Sequence, residues 1–370
     1  MTNELNLDDC KQQLLRLGRT YDGPNKEIYM NWTCSGIRFQ FRGTYLIVEM
    51  NALPGEEEER NPFNGSVSKR ETWPYVAVFV DDNDEPDRYF EVKDTSVRYF
   101  ILSGEKEETH NITIRKMTEN PKGKFSITKF FSDGVIEKLQ EDSPRMNIEF
   151  IGDSITCGFG NLSGEKDRLF YSSDENGWLS HAAIAARKLN ADFSIIAYSG
   201  ISITKGIGNM EWRCPSMPEL YPYTDRLIEE HYGKEASFEE WNFDQWKPDV
   251  IVLNLGTNDA TVIDFNMDSI RGIQKFEEDY YQFLKLIREK NGSDPWIICT
   301  LGSMDYFLYD NILKVAERFI GENKDPRVSC FKYGRIRITD GFGACGHPNR
   351  TTQLRMGNEL ADYISELLQR

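Results

Sequence analysis

The feature that most limits what this chain can fold into is a change of rhythm near residue 146. Beyond it, short continuous apolar runs recur: Asn147 to Ile151 (NIEFI), Phe193 to Ala197 (FSIIA), Asp249 to Leu253 (DVIVL) and Trp296 to Thr300 (WIICT). Helical patterns alternate with them. Ile273, Phe276, Tyr280, Phe283 and Ile287 recur at steps of three and four, and a stretch starting near Thr351 carries Met356, Leu360, Tyr363, Ile364 and Leu367 on one stripe. Strands apolar on both faces, alternating with helices, predict a parallel sheet covered on both sides. In such sheets ligands bind beyond the carboxyl ends of the strands.

The N-terminal part has a different rhythm. From about Asp22 to Phe131, β-type runs alternate with turn residues: Gly36 to Phe41, Tyr45 to Val48, Tyr75 to Val80, Arg98 to Leu102 and His110 to Ile114. Many short strands without a helical period predict a β-sandwich. Pro54 to Thr72, with its run Glu56-Glu57-Glu58-Glu59, reads as a solvated loop. A polar stretch around Ser132 to Arg145 separates the two rhythms. The expected organisation is an extension over 1–20, a sandwich over 21–135 and an α/β domain over 136–370.

Candidate chemistry falls where the parallel sheet predicts it. The first apolar run leads into Gly152-Asp153-Ser154, the second into Tyr198-Ser199-Gly200, and the third into Gly256-Thr257-Asn258-Asp259; His347-Pro348 lies just before the last helix. Acyl transfer needs a hydroxyl with a neighbouring base, and fixed donors for the oxyanion that develops. Ser154 supplies the hydroxyl and its own N–H, Gly200 an N–H that no side chain blocks, Asn258 an amide, and His347 the base. Each residue also has an ordinary reading. A serine after a strand is often a cap, Gly200 could serve strand–helix packing, and Asn258 could cap a helix. Asp153 and Asp259 fit structural hydrogen bonding behind the reacting groups. Of the four histidines, His110, His181 and His231 suit structural positions. Cys157, three residues past Ser154, is the weaker nucleophile because it lies off the turn.

Composition excludes several classes. With 60 acidic residues against 44 basic ones and a formal charge of −16, the chain lacks the clustered cations that bind nucleic acid; a neutral ligand such as a sugar fits better. No run approaches the ~20 apolar residues of a membrane span. Seven scattered cysteines suggest neither a disulfide framework nor a zinc site. With an N-terminus that does not read as a signal peptide, they lead to the expectation of a reduced, cytoplasmic protein. Oligomeric state is not legible.

The four blocks Gly152-Asp153-Ser154, Gly200, Gly256-Thr257-Asn258-Asp259 and His347-Pro348 resemble the SGNH (GDSL) hydrolase superfamily over roughly Met146 to Arg370. The run Ile148 to Asn161 (IEFIGDSITCGFGN) and Met217 to Tyr221 (MPELY) further resemble carbohydrate esterase family two. The resemblance implies a flavodoxin-like three-layer α/β/α SGNH domain preceded by a jelly-roll β-sandwich. It also implies removal of acetyl groups from an acetylated mono- or oligosaccharide, without metal or organic cofactor.

One departure from the family matters. The positions three and two residues before the histidine, where an aspartate is common, hold Ala344 and Cys345, so neither can orient the imidazole. The expectation is a Ser154–His347 dyad with the ring N–H held by a backbone carbonyl, Asp340 shaping only the turn. Gly346, often Trp in the family, leaves the pocket more open, and Trp212 is a candidate for stacking on a sugar ring. The other readings are an esterase, lipase or thioesterase for a different acyl group, a sugar-binding module with weak or lost catalysis, and an acetyltransferase.

Overall fold

Two long strands, Gly36–Leu53 and Val97–Lys116, organise the N-terminal part of the computed structural model, which describes residues 3–61, 64–81, 83–139, 145–205, 215–264 and 269–369. They pair antiparallel and, with the strands they recruit, form a ten-stranded sheet. Their register breaks between Ser103 and Glu108, opposite Tyr45 and Gly43. There the sheet bends. Phe130 pairs with Val48, nine residues along the strand from Phe39, a span of about 30 Å in extended chain. Yet the Phe39 and Phe130 rings meet edge-on with centroids 5.5 Å apart. The sheet therefore doubles back, and Phe41, Leu46, Ile112 and Phe125 from its different parts fill one core. The two layers thus belong to one sheet whose hydrogen bonding continues around its bends.

Two expectations for this part need correction. The segment read as a solvated loop is a hairpin of Gly55–Arg60 and Val67–Thr72. Its acidic run is matched across the strands: Glu56 meets Lys69 at 2.7 Å, and Arg70 reaches both Glu57 and Glu59. The described residues of the first twenty do not form a separate extension. Asn3–Asn6 pairs with Lys124–Ser132, Leu15–Leu17 pairs with Gly36–Leu53, and Leu7, Cys10 and Leu14 lie in the core. Contacts also gather Leu169–Glu175 into this unit, away from its neighbours in sequence. Ser172 holds it there, its N–H donating to Glu57 at 2.8 Å and its hydroxyl meeting Thr72 Oγ1 at 2.7 Å.

The second unit comprises residues 145–168 and those from 176 onward. Its five strands are all parallel, in the spatial order Asp192–Ala197, Asn147–Gly152, Val250–Asn254, Trp296–Leu301, Val328–Lys332. In chain order this is 2-1-3-4-5, the flavodoxin-like arrangement, whose direction of winding switches between the first and third strands. Helix Ser269–Asn291 buries Phe276, Tyr280, Phe283 and Ile287, and helix Arg350–Leu368 buries Met356, Leu360, Ile364 and Leu367. The fifth strand, with the helix Tyr309–Asn323 before it, has no counterpart in the sequence reading. As an edge strand it is largely half-exposed and carries no continuous apolar run. Among the described residues, no helix is long and apolar enough to cross a membrane.

Candidate active site

The sheet register brings the sequence blocks to one level. Gly152 pairs with Ala197 on one side and with Asn254 on the other. Ser154, Gly200 and Asn258 therefore follow two, three and four residues beyond a common row, flanking the switch point.

Ser154 opens a single helical turn, Ser154–Cys157, which ends at Gly158 in the left-handed region. Asp153 caps it, accepting the Ile155 N–H at 3.0 Å. Burial outweighs that bond, and with the charge of Asp259 added, the Asp153 carboxyl is pushed up to about 7. Asp259 is also fully buried and raised to about 6, again mainly by burial. It accepts the N–H groups of Ile203 at 3.1 Å and Thr204 at 2.8 Å. The Asn258 amide donates to the Ile201 carbonyl at 2.9 Å. An amide has two hydrogens, so this bond uses one and fixes the direction of the other. Together, Asn258 and Asp259 hold the loop that begins at Gly200. Gly200 has φ +80, and a Cβ there would meet no atom within 4 Å. Its glycine answers to backbone conformation, not to close packing.

His347 arrives from the loop that precedes the last helix. Its Nε2 lies 2.9 Å from Ser154 Oγ, and its Nδ1 lies 3.2 Å from the Ala344 carbonyl. With Nδ1–H donating to that carbonyl, the Nε2 lone pair faces the serine hydroxyl. Burial lowers the imidazole to about 4, against the opposing effect of the Ala344 and Cys345 backbone. The Asp340 carboxylate instead stands 3.6 Å from Arg355 Nε, while its carbonyl accepts from Asn349.

The remaining candidates lie elsewhere. His110 pairs with Asp81 on a strand of the first unit, and His231 ends the helix Arg226–His231. His181 is buried beside Gln353, and burial lowers it to about 4. Cys157 is fully buried. Trp212 lies outside the described residues. The segment from Met217 is scaffolding: Glu219 and Ser216 form a capping box, and Tyr221 donates to the buried Glu149 on the first parallel strand at 2.8 Å. Two features around His347 were missed from sequence. One is the identity of the accepting carbonyl, which has no side-chain signature. The other is Phe159, whose ring centroid lies 4.4 Å from that of the imidazole.

Comparisons with known proteins find relatives for both units. Residues 16–139 match the family model for the carbohydrate esterase 2 N-terminal domain, and residues 150–320 match that of the GDSL-like lipase/acylhydrolase family. Cellulase/esterase CelE of Acetivibrio thermocellus is 30% identical over 345 residues, 91% of this chain. The structure of a family two carbohydrate esterase from Clostridium thermocellum, in complex with cellohexaose, superposes with a TM-score of 0.79 at 28% identity. It covers 96% of this chain and 99% of that one. The chain thus carries a carbohydrate esterase 2 N-terminal domain and a GDSL-like domain, and the proteins it resembles over both are family two carbohydrate esterases.

A second relative, an acetylxylan esterase/glucomannan deacetylase of Cellvibrio japonicus, is 27% identical over 70% of this chain and 69% of its own length. The chain spans only 37% of the length of CelE. What this chain shares with CelE is thus a segment of a longer protein. Within that segment the arrangement of hydroxyl, imidazole and braced loops is suited to acyl transfer.

Proposed function

We propose that the chain is a carbohydrate O-acetyl esterase working through a Ser154–His347 dyad and an acetyl-enzyme. The observation that carries this reading is the 2.9 Å contact between His347 Nε2 and Ser154 Oγ, with Nδ1 set against a carbonyl. In the first step Nε2 takes the hydroxyl proton as Ser154 Oγ attacks the acetyl carbon. The N–H groups of Ser154 and Gly200 and the amide of Asn258 stabilise the oxyanion. Collapse expels the sugar oxygen, which receives the proton from His347. In the second step the same imidazole activates a water, and acetate leaves.

A lowered imidazole pKa suits this work, because the base is neutral over most of the physiological range. The names of the relatives, esterases acting on acetylxylan and glucomannan, support a sugar acetate as substrate. The polyanion-averse net charge is consistent with a neutral glycan.

The test is to follow acetate release from chemically defined acetylated mannose, xylose and glucose oligosaccharides, position by position, alongside acetyl and octanoyl nitrophenyl esters. Release from at least one sugar acetate, with preference for acetyl over octanoyl, is the expected result. A preference for octanoyl would replace the reading with a lipase-like one. Turnover only when an acceptor sugar is added would replace it with acetyl transfer. A wild-type protein that binds sugar but whose Ser154 resists a fluorophosphonate would leave only a binding module.

A further inference from the structure

The run Gly158-Phe159-Gly160-Asn161, which continues from the nucleophile turn, takes no part in the steps above. The structure gives it a clear task. Four backbone hydrogen bonds tie the segment from Gly160 to Arg168 to the histidine loop. Ala344 N–H donates to the Gly160 carbonyl at 3.1 Å, Cys345 N–H to Arg168 at 3.2 Å, Gly346 N–H to Lys166 at 3.0 Å, and Arg350 N–H to Asn161 at 2.9 Å. The two backbones approach so closely that side chains are excluded. A Cβ on Gly160 would lie 2.7 Å from the Ala344 Cβ, and one on Gly343 would lie 2.4 Å from the Gly160 carbonyl oxygen. Asn161 in turn exchanges two hydrogen bonds with the backbone of Asn176, at 2.9 and 3.0 Å. The clamp is thereby anchored to the body of the unit.

Phe159 connects this clamp to the reacting groups. Its N–H donates to the Ser154 carbonyl at 3.0 Å, which fixes it to the serine turn. Its ring lies against the imidazole with centroids 4.4 Å apart and planes at 40°. A carboxylate partner would orient the imidazole through Nδ1 and stabilise the imidazolium formed on proton transfer. Here the peptide clamp presents the Ala344 carbonyl to Nδ1. The phenyl face limits rotation of the ring, excludes water from one side, and offers its electron-rich face to the imidazolium.

The geometry points to Phe159 as a positioning residue for His347, which together with the Gly160–Arg168 clamp takes the place of the orienting carboxylate. This inference deepens the dyad reading and rests on it, but its test does not depend on which ester is the substrate.

The test uses the full-length protein and the rate at which a fluorophosphonate labels Ser154, measured against pH, for wild type and for Phe159→Ala, Phe159→Leu and Phe159→Tyr. Labelling reports activation of Ser154 by His347 whatever the natural substrate, so a wrong substrate assignment leaves this result intact. Steady-state constants on an acetyl ester run in parallel. Misplacement of a reacting group by about 1 Å costs on the order of 100-fold. Phe159→Ala and Phe159→Leu should therefore slow labelling and kcat by ~10- to 100-fold with KM within ~2-fold of wild type, on that same scale.

The acid limb of the profile should also rise from about 4 towards 6.5 as water reaches the imidazole. Phe159→Tyr keeps the ring face and should recover most of the rate. Labelling within ~3-fold of wild type in Phe159→Leu, on the same scale, with an unmoved acid limb, overturns the inference. If Phe159→Ala fails to fold, the leucine and tyrosine variants decide it. Equal losses in both, with no shift of the limb, would show a merely structural residue.

Discussion

The two halves of the site are held by opposite means. On the serine side the braces are carboxylates: Asp153 caps the nucleophile turn, and Asp259 grips two amides of the loop after Gly200, both deep in the protein and both with raised pKa values. On the histidine side, where a carboxylate is customary, Nδ1 meets a peptide carbonyl and a phenyl ring lies alongside. The difference teaches that a backbone carbonyl can fix the tautomer of a catalytic base when its loop is itself fixed. A bare carbonyl on a mobile loop could not.

Several measurements would break or sharpen this contrast. The largest effect belongs to Ser154→Ala, which should abolish acetate release, a fall of ~10⁴-fold or more by analogy with nucleophile deletions, while the circular dichroism spectrum and Tm stay near wild type. Turnover surviving at a tenth of wild type would remove Ser154 from the chemistry. Asn258→Ala should lower kcat by on the order of 100-fold or more. A loss of ~3-fold or less on that scale would mean that the Ile201 bond is its whole role.

Asp259→Asn addresses the carboxylate brace itself. An amide can accept only one of the two N–H groups now held and turns its NH2 against the other. The unfolding free energy should fall by about 1–3 kcal/mol, and kcat with it. Denaturant titration together with kinetics checks both, and an unchanged midpoint would show the loop to be held otherwise.

The pH profile compares the two sides directly. His347 must be neutral to accept the proton, and its pKa is depressed to about 4. Activity should persist as pH falls through 6.5 and drop only near 4, read as the acid limb of kcat/KM. A limb at 6.5 would mean that the imidazole is solvated. The stability terms have opposite signs. His181 and His347 stay neutral in the folded state while the unfolded chain protonates near 6.5, so their contribution is lost as pH falls from there towards 4. Asp153 and Asp259 hold protons that the unfolded chain releases near 3.8, so theirs is lost as pH rises towards 6 and 7. The smallest expected effect is that of Asp340→Asn. Its carboxylate faces Arg355 and not the imidazole, so kcat should stay within ~2-fold, the scale of a loosely held ion pair. A collapse would restore the three-membered arrangement.

Much of this architecture was legible in the sequence because it is written in side chains. The parallel sheet announced itself through strands buried on both faces, and the blocks at Ser154, Gly200, Asn258 and His347 fall at the strand ends that such a sheet dictates. The hairpin from Gly55 to Thr72 escaped because its strands are stabilised by cross-strand charge pairs and, among its described residues, only Glu57 and Thr72 are buried. Its composition therefore resembles that of a loop. Val328–Lys332 escaped because an edge strand does not need an apolar run. The packing of Leu7, Cys10 and Leu14 was hidden because their helical spacing of three and four spans only a four-residue helix and the short turn after it, too brief a pattern to stand out. The support of His347 was the least visible, since a carbonyl leaves no trace in residue type and Phe159 stands 188 positions away from the ring it faces.

Gln353 carries a final consequence. It lies six residues past His347, on the last helix, yet its amide donates to the carbonyl of Ile155, the residue after the nucleophile, while its oxygen takes the His181 N–H. Alcohol and imidazole are thus strapped into one rigid frame from behind as well as through the loop in front. A substrate cannot prise them apart on entry. It must settle onto a pair already set at reacting distance, so discrimination among substrates falls to whatever surrounds that pair rather than to any closing of the pair itself.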